Sequence, residues 1–503
     1  MTLGGTTPIG FGTGYPELLE HLNTRAVELP ANFVHELGQI CETSTEPSDT
    51  AEAGRDWWPI AMHWALAGAL PKRAAVVVSP ITTDEVSRVA RLCNDHEVPL
   101  TVVGGRSGVC GAAIPVFGGV VLSTHRMSSL GEVDSESGIV EVGPGMFGDE
   151  LESTLGAQHG LTAGHHPQSI NISTVGGWVA CRGAGQYSTR YGKIDDIVVG
   201  LEVVLADGSV IRTGGAPGAA DGPDLGSLFL GSEGQLGVIT RVWLRTHPLA
   251  THSAKAAYSF PDFASGISAL RDTIRGGATP AVLRLYDATE SKRSHGMDGT
   301  RCALIVFDEG SGELVEATLT ATAASAMSHG GTSESTELVD HWFEHRNDTT
   351  ALQALTQKGF VVDTMEVAAP WSRLSAIYES VCSALRAVPH CRAASCHLSH
   401  SYTDGACLYF TFAAAPPPDQ IESTYVALWD AGQTAALDCG SNLSHHHGVG
   451  LNRARFARRA LGESFDVLVA MKRALDPKGI LNPGKFGIPS RFSGSENGVT
   501  PWP

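Results

Sequence analysis

The stretch Pro167–Asp196, PQSINISTVGGWVACRGAGQYSTRYGKIDD, is rich in Gly, Ser, Thr and Asn and holds few long apolar side chains. It is poor core material. It suits a backbone that must approach a flat, phosphorylated ligand, because glycine removes the Cβ barrier and leaves N–H groups free to donate. Taken alone, it could equally be a polar surface loop. Two more glycine clusters, GGRSG at Gly104–Gly108 and GSEGQLG at Gly231–Gly237, adjoin strand-like apolar runs. The three loops together predict a single cofactor site.

The composition is typical of a soluble, loop-rich enzyme of two or three domains. The 503 residues are 42% apolar, and no run approaches the roughly 18–20 apolar residues that span a bilayer. The N-terminal residues lack a basic head and an apolar segment, so we expect no secretory signal, and the final TPWP is not a peroxisomal tripeptide. Ten scattered cysteines indicate free thiols in a reducing compartment, and the net charge of −18 argues against nucleic acid as a partner. We expect a cytoplasmic protein that acts on a small molecule, with at most peripheral membrane contact.

Changes in pattern along the chain predict five segments. Residues 1–73 form an N-terminal helical segment, and residues 74–250 alternate strands and helices as an α+β cofactor-binding domain. Residues 251–430 show strand-like runs separated by amphipathic helices, which predicts a substrate (cap) domain with an antiparallel sheet and helices on one face. Residues 431–490 are a helical segment that contains SNLSHHHGVG and returns to the cofactor domain, and residues 491–503 are a disordered or surface tail. The expected fold class is α+β.

Local signals place the first elements of the cofactor domain. Thr82, with Glu85 three residues later, predicts a capped helix over residues 84–96. A strand over residues 99–103 leads into the first glycine cluster, and Asp207–Gly208 predicts a hairpin between two strands.

Six motifs carry a family resemblance. In chain order they are VVGGRSGV, PxS-x3-STVGG, CRGAG, RYGKIDD, GSEGQLGVIT and LDPKGILNPGKF, and they span nearly the whole sequence. In this combination the chain resembles the FAD-binding type 4 proteins of the vanillyl-alcohol oxidase and p-cresol methylhydroxylase superfamily. The resemblance implies a two-subdomain FAD-binding domain of the p-cresol methylhydroxylase type, followed by the cap domain. The Rossmann fingerprint is absent, because no GxGxxG lies between a strand and a helix.

The resemblance also implies which residues bind FAD. The first glycine cluster and the PxS-x3-STVGG motif would offer backbone amides to the pyrophosphate, CRGAG would contact the middle of the cofactor, and GSEGQLGVIT its adenine end. Many family members tether FAD to a histidine in the first cluster, but GGRSGVCGA contains Arg106 and no histidine, so we expect non-covalent FAD. The residues implied in FAD binding are Thr101, Val102, Val103, Gly104, Gly105, Arg106, Ser107, Pro167, Gln168, Ser169, Ser173, Thr174, Gly176, Gly177, Arg182, Gly183, Ala184, Gly185, Tyr191, Glu233, Gly234, Gly237, Val238 and Ile239.

The substrate half is similar to bacterial alkylglycerone-phosphate synthase-like proteins. The matching elements are SCHLSHSYTDGACLYF, NLSHHHGVG, AVLRLYD, DTMEVAAPWSR, and Trp342 with His345 and Arg346. This resemblance implies a homodimer that exchanges the acyl group of acyl-dihydroxyacetone phosphate for a fatty alcohol. The product is an ether-lipid precursor, formed through a flavin N5 adduct without net redox. An FAD-dependent dehydrogenase or oxidase of D-2-hydroxy acids or another alcohol is the alternative, and a flavin-binding protein without catalysis is a third hypothesis.

Three adjacent histidines, His445, His446 and His447, are the sharpest local signal outside the glycine clusters. Three consecutive imidazoles cannot all face one ligand from a regular strand or helix, so an irregular loop is predicted. Two of them can then reach the substrate side of the flavin, where an imidazole binds an anion or moves a proton near neutral pH. A metal site and a solvent-exposed histidine-rich loop are the alternatives.

The residue types weaken the metal alternative. Related D-2-hydroxy-acid dehydrogenases carry GHxGDGNxH and a later EHG, whose histidines and glutamate bind a divalent ion. Here His397 and Asp404–Gly405 remain at altered spacing, Leu408 lies near the second histidine position, and His446 replaces the glutamate. This leaves a poor ligand set, so no metal is expected.

Two tyrosines in SCHLSHSYTDGACLYF are candidates for the proton-handling residue that the family resemblance implies. Tyr409 fits the spacing to the histidines better, and Tyr402 is the second candidate. An ordinary phenol has a pKa of about 10, so a role as base requires nearby positive charge. A buried structural tyrosine is the alternative.

Arg284 and Arg346 are candidates for binding the anionic groups of the substrate. Both lie in apolar or aromatic surroundings, where a planar guanidinium suits a carboxylate or a phosphate. An internal ion pair with Asp287 or Asp348 is the alternative. Glu233 is expected to order its loop rather than take part in the chemistry.

Overall fold

A computed structural model describes residues 8–493 and 501–503 of the chain. Its strands, in chain order, are β1 (Leu19–Glu20), β2 (Glu42–Ser44), β3 (Ala69–Leu70), β4 (Val76–Ser79), β5 (Leu100–Val103), β6 (Val120–Ser123), β7 (Leu130–Asp134), β8 (Ile139–Val142), β9 (Leu161–Thr162), β10 (Val198–Val204), β11 (Val210–Gly214), β12 (Val238–Arg245), β13 (His247–Pro248), β14 (His252–Phe260), β15 (Val282–Tyr286), β16 (Cys302–Gly310), β17 (Thr332–Ser333), β18 (Val361–Pro370), β19 (Cys391–Ser401) and β20 (Gly405–Ala414).

The α-helices connect and cover these strands. In chain order they are α1 (Phe33–Gly38), α2 (Pro47–Glu52), α3 (Pro59–Leu66), α4 (Thr83–Asp95), α5 (Gly148–His159), α6 (Val175–Cys181), α7 (Ser188–Tyr191), α8 (Ile194–Ile197), α9 (Phe263–Arg275), α10 (Ala288–His295), α11 (Gly312–Ser328), α12 (Glu337–His345), α13 (Ala351–Thr356), α14 (Leu374–Ala387), α15 (Ile421–Asp438), α16 (Ala457–Leu461) and α17 (Ser464–Leu475). None of the helices in the described part of the chain is both long enough and apolar enough to cross a membrane.

Helix α4 shows how local sequence sets an element. The Thr82 hydroxyl accepts a hydrogen bond from the Glu85 amide at 3.2 Å, and the Glu85 carboxylate accepts one from the Ile81 amide at 2.6 Å. These bonds satisfy amides that the first helical turn leaves unpaired. Val86 and Val89 then point into the core. The predicted capped helix is confirmed, with ends shifted by one residue.

The FAD-binding half contains two sheets. In the first, β4, β6 and β5 are parallel and β2 adds an antiparallel edge, in the order β2-β4-β6-β5. In the second, five antiparallel strands lie in the order β11-β10-β12-β8-β7. The β10–β11 hairpin turns at Asp207–Gly208, where Gly208 has a φ of +85°, as the sequence predicted.

The cap sheet is a seven-stranded antiparallel sheet in the order β17-β14-β16-β15-β19-β20-β18. Helices α9, α14 and α15 pack against one face in a shared apolar core. Helix α12 packs against the other face through Val339 and Trp342, in a cluster that includes Tyr187 of the FAD-binding half. The α+β fold class is confirmed. The expectation of helices on one face of the cap sheet is corrected, because α12 covers apolar side chains on the other face.

The N-terminal segment and the cap domain share a buried hydrogen-bond network. The Trp58 indole donates to the Tyr425 hydroxyl at 2.9 Å, and that hydroxyl donates to Asp363 at 2.7 Å. Trp502 is buried against Trp58. The predicted disordered or surface tail is therefore wrong for this residue. Residues 494–500 of the predicted tail lie outside the described residues.

We expect Tyr425→Phe to lower the free energy of unfolding by about 1–3 kcal/mol, because the buried Trp58 indole loses its acceptor and Asp363 loses a donor. The measurement is the melting temperature of the holoprotein. Tyr15→Phe, which removes an exposed hydroxyl, is the control. Equal melting temperatures for the two variants would contradict the network's role.

Candidate functional site

Two of the predicted FAD segments, the first glycine cluster and the STVGG segment, are in direct contact. The contact is too close for a Cβ atom at the glycines of the first cluster. A Cβ on Gly104 would lie 2.3 Å from the Thr174 hydroxyl oxygen, and one on Gly105 would lie 2.2 Å from the Ile172 carbonyl oxygen. Within the described residues, the amides of Gly105 and Ser107 donate to no protein acceptor. The first glycine cluster therefore offers free N–H groups beside the STVGG segment, as an anion-binding loop requires.

The STVGG segment begins helix α6. The Thr174 hydroxyl accepts a hydrogen bond from the Gly177 amide at 3.3 Å and caps the helix. A Cβ on Gly176 would lie 2.6 Å from Pro144, and the Ser173 hydroxyl accepts a bond from the Trp178 indole at 2.7 Å. The close approach of Pro144 explains why a glycine stands at position 176, shortly after the Thr174 cap.

The CRGAG segment lies beside a histidine that the sequence analysis missed. A Cβ on Gly185 would lie 2.6 Å from the His166 amide, so CRGAG passes directly over His165–His166. His165 is fully buried, and within the described residues both of its ring nitrogens lack a hydrogen-bond partner. Burial lowers the pKa of His165 to about 3, so its imidazole is neutral. Its position two residues before Pro167 is a weak sequence signal.

Several predicted FAD residues use their side chains to hold the loops together. Arg106 forms an ion pair with Glu52 of α2, and Arg182 donates to Asp195 at 2.9 Å. The Gln168 amide donates to the Asp348 carbonyl oxygen at 2.8 Å. Other buried members of the set are Thr101, Val103, Ala184, Val238 and Ile239, and those with intermediate exposure include Val102, Pro167, Gly183 and Gly234.

The residues present fit FAD. Glycine-only backbone contacts, free amides and the unpartnered His165 suit a large ligand with a pyrophosphate and hydrogen-bonding edges. FAD is bound without a covalent tether from the first cluster, since that cluster has no histidine.

The histidine loop, Ser444–Gly448, wraps around one buried carboxylate. The Glu366 Oε1 atom accepts hydrogen bonds from the amides of His445–His447 at 3.1, 3.0 and 2.8 Å and from the Ser444 hydroxyl at 2.6 Å. The Arg453 guanidinium pairs with the other carboxylate oxygen, and both residues are fully buried. Burial opposes the charge of Glu366, but Arg453 and His447 hold its pKa well below the usual range. The predicted irregular loop is present, and the sequence had not singled out Glu366.

The FAD-binding half contacts the same loop at two points. Lys193, in the RYGKIDD motif, donates to the His445 carbonyl oxygen at 2.8 Å. Glu233 accepts hydrogen bonds from the amides of Val449 at 2.6 Å and Gly450 at 2.9 Å. Burial raises the pKa of Glu233 to about 7. Glu233 thus orders the loop that follows the three histidines.

A β-bulge brings His397 and His400 to the same cluster. Residues three apart in a regular strand point to opposite faces. The register of β19 against β20 shifts between Leu398 and His400, and an extra residue of this kind re-aims the side chains that follow it. His397 therefore stacks on Tyr409, with ring centroids 4.8 Å apart, while His400 stacks on His445 at 5.0 Å.

Three imidazoles converge at the centre of this cluster. One nitrogen each from His400, His445 and His446 lies within 4.8 Å of the others, an arrangement that can also hold a metal ion. Burial lowers the pKa of His445 to about 3 and holds those of His400 and His446 well below the usual range, so the rings are neutral. The expectation of no metal stays a prediction.

Both candidate tyrosines contact the histidine loop. The Tyr402 hydroxyl lies 2.7 Å from His445 Nε2. The Tyr409 hydroxyl donates to the Thr364 hydroxyl at 3.1 Å and lies 3.4 Å from His447 Nε2. Burial raises the pKa of each phenol above its ordinary value. The phenols are therefore protonated at neutral pH.

The two candidate arginines lie near one tryptophan. The guanidiniums of Arg284 and Arg346 are 5.7 and 5.5 Å from the Trp342 ring centroid. Arg284 donates to His397 Nε2 at 2.7 Å and to the Tyr286 hydroxyl at 3.2 Å. Arg346 lies 5.2 Å from the centre of the Tyr187 ring. Arg284 is therefore joined to the tyrosine–histidine cluster through His397, and not paired with Asp287.

Comparison with known proteins agrees with this architecture. The model of the FAD binding domain matches residues 74–214, and that of the C-terminal domain of FAD linked oxidases matches residues 249–486. An uncharacterized FAD-linked oxidoreductase, YgcU, from Escherichia coli O157:H7 is 33% identical over 430 residues, covering 82% of this chain and 88% of its own. Alkyldihydroxyacetonephosphate synthase from Trypanosoma brucei brucei is 27% identical over 532 residues, covering 95% and 84%. Glycolate oxidase subunit GlcD from Bacillus subtilis is 27% identical over 421 residues, covering 82% and 88%.

Solved structures share the fold. An alkyldihydroxyacetonephosphate synthase superposes with a TM-score of 0.77 and 23% identity, covering 96% of this chain and 89% of its own. p-Cresol methylhydroxylase with substrate bound gives a TM-score of 0.73 and 18% identity, covering 92% and 99%. The chain therefore belongs to the family of FAD-linked oxidoreductases with the p-cresol methylhydroxylase fold, and FAD is its cofactor.

Proposed function

We propose that this protein is an FAD-dependent transferase of the alkylglycerone-phosphate synthase kind. It exchanges the acyl group of acyl-dihydroxyacetone phosphate for a fatty alcohol and makes an ether-lipid precursor. The observation that carries the proposal is the contact of two protonated phenols, Tyr402 and Tyr409, with the histidine loop. The synthase from Trypanosoma brucei brucei, which aligns with 95% of the chain, supports the same substrate class. A homodimer and a cytoplasmic location belong to this proposal.

Arg284 and Arg346 suit the two anionic groups of this reaction. The substrate carries a phosphate, and the leaving group is a carboxylate. A guanidinium binds either group through two parallel N–H bonds. Because Arg284 is bonded to His397, which stacks on Tyr409, an anion on Arg284 would lie close to the phenol.

The residues of the site can handle the proton that the exchange releases. The C–O bond to the acyl group breaks, the fatty acid leaves as a carboxylate, and the alcohol oxygen forms the ether bond while it gives up its proton. When bound, FAD supplies an electron-poor ring beside which the substrate carbon can react. A neutral imidazole of the histidine loop can accept the proton of the alcohol, and the protonated Tyr409 phenol can donate a hydrogen bond to the leaving carboxylate.

The alternative is net oxidation of a D-2-hydroxy acid or another alcohol. The similarity to glycolate oxidase subunit GlcD and the three converging nitrogens of His400, His445 and His446 favour it. Such a cluster can take a substrate hydroxyl proton or hold a divalent ion. The two functions differ in outcome, because oxidation leaves the flavin reduced until an acceptor arrives and the transferase returns it oxidised.

Mass spectrometry of products after incubation with acyl-dihydroxyacetone phosphate and a long-chain alcohol tests the proposal. Alkyl ether and free fatty acid in equal amounts, with the flavin still oxidised, are the expected result. Bleaching of the flavin under anaerobic conditions by D-2-hydroxy acids, with no ether formed, would establish the oxidoreductase instead.

Tyr409→Phe is expected to lower kcat for ether formation by at least about 100-fold, because the phenol's proton is lost. FAD absorbance should remain, since the hydroxyl contacts Thr364 and His447 rather than the glycine loops. Tyr258→Phe, a buried tyrosine on strand β14, is the matched control. An unchanged kcat in Tyr409→Phe would remove this residue from the mechanism.

Glu366→Gln is expected to lower the free energy of unfolding by about 3–5 kcal/mol, because Arg453 is left buried without its counter-ion. The double variant Glu366→Gln with Arg453→Met should regain part of that stability. The kcat of the double variant should stay low, because the amides of the histidine loop no longer have a carboxylate to bind. Melting temperature and kcat are measured on all three proteins. A fully active double variant would show that the carboxylate does not position the histidines.

Acid should destabilise the protein through His445. Its pKa is about 3 in the folded state and about 6.5 in an unfolded chain, so the unfolded state binds more protons between these values. Stability is therefore complete above pH 6.5 and is lost as pH falls below it, by about 2 kcal/mol at pH 5. The drop in melting temperature from pH 7 to pH 5 should be smaller in His445→Gln than in the parent protein. An equal drop would contradict a neutral His445.

A further inference from the structure

The last turn of α12 carries a second group of metal-ligand side chains, far in sequence from the histidine loop. In the sequence HWFEH, His341, Glu344 and His345 are spaced i, i+3 and i+4, which places them on one face of a helix. All three are exposed, and one ligand atom of each lies within 4.8 Å of the others. Two histidines at i and i+4 on one helix face are a spacing that binds zinc.

A backbone contact orients one of these imidazoles. His345 Nδ1 lies 2.9 Å from the His341 carbonyl oxygen, which can only accept a hydrogen bond. Nδ1 therefore carries the proton, and the lone pair of Nε2 is free for a ligand. Metal-bound histidines are commonly held in this way by a bond from the second ring nitrogen.

The other two side chains have no competing partners. Within the described residues, the ring of His341 and the carboxylate of Glu344 make no hydrogen bond and no ion pair. The nearby cation, Lys255, is paired with Asp340 instead. Two imidazoles and a carboxylate thus remain available side by side.

A half-buried histidine lies beside His341. The ring of His295, the last residue of α10, is 6.3 Å from that of His341. Both of its nitrogens are buried and lack a partner within the described residues, which carries a free-energy cost.

We propose that His341, Glu344 and His345 bind a divalent transition-metal ion of the zinc class, with the ring of His295 packed beside His341. Imidazole nitrogen and carboxylate oxygen are ligands that zinc prefers, and water completes the coordination at an exposed site. The ion would join both ends of the last turn of α12, next to Arg346. The inference is independent of the proposed function.

Site-resolved chemical modification tests the proposal. Holoprotein is treated with a chelator, exchanged into metal-free buffer, and reacted with diethyl pyrocarbonate with and without Zn²⁺. Mass spectrometry of the digested peptides then measures the extent of modification at each histidine. Zn²⁺ should protect His341 and His345, while the exposed His159 at the end of α5 should react equally in both samples. Equal reaction of His341 and His345 in both samples would overturn the proposal.

Calorimetric titration with Zn²⁺ separates this site from the cluster at His400. The double variant His341→Ala with His345→Ala should bind one zinc ion fewer than the parent protein. Glu344→Gln should keep the site but weaken it by about tenfold or more. The control double variant, His159→Ala with His252→Ala, also removes two exposed imidazoles and should bind as the parent does. Unchanged stoichiometry in the His341 and His345 variant would place all zinc elsewhere and refute the site.

Discussion

The candidate active site depends on one buried carboxylate. An ionised side chain in a protein core is stable only when it is paired and fully hydrogen-bonded. Glu366 meets both conditions, because Arg453 supplies the counter-charge and the histidine loop supplies three amides and a hydroxyl. The histidine loop depends in turn on the carboxylate of Glu366. Three consecutive imidazoles can converge only from an irregular backbone, and the carboxylate satisfies the amides that such a backbone leaves without a helix or strand partner.

The cap sheet sets the remaining geometry. Glu366, Tyr409 and His397 are opposite one another on β18, β20 and β19, so they share one face at the spacing of neighbouring strands, about 4.8 Å. The bulge before His400 then adds a second histidine to that face. Proton-transfer groups built on strands are held more rigidly than groups built on loops. The loop-borne histidines approach this fixed row from the other side.

Burial gives the site its chemical character. The chain carries a net charge of −18, yet the site gathers Arg284, Arg346 and Lys193 around neutral imidazoles and protonated phenols. Desolvation keeps the histidines from competing as cations with the arginines for an anionic substrate. It also holds the phenols as donors at neutral pH.

The sequence alone determined the FAD-binding family, the α+β class and the irregular histidine loop, because these rest on local motifs with fixed backbone requirements. Its family resemblance named Tyr402 and Tyr409 as candidates, and the structure brought both to the loop. Only the tertiary structure decided the roles of Glu366, His165, His400 and Lys193. Glu366 and Arg453 are 87 residues apart, and neither has a local pattern that distinguishes it from an ordinary surface charge. His400 depends on a one-residue bulge, which no periodicity reveals. His165 is distinguished by burial together with two ring nitrogens that have no hydrogen-bond partner among the described residues. Such properties arise from contacts between distant segments, and the linear order of residues does not encode them in any local form.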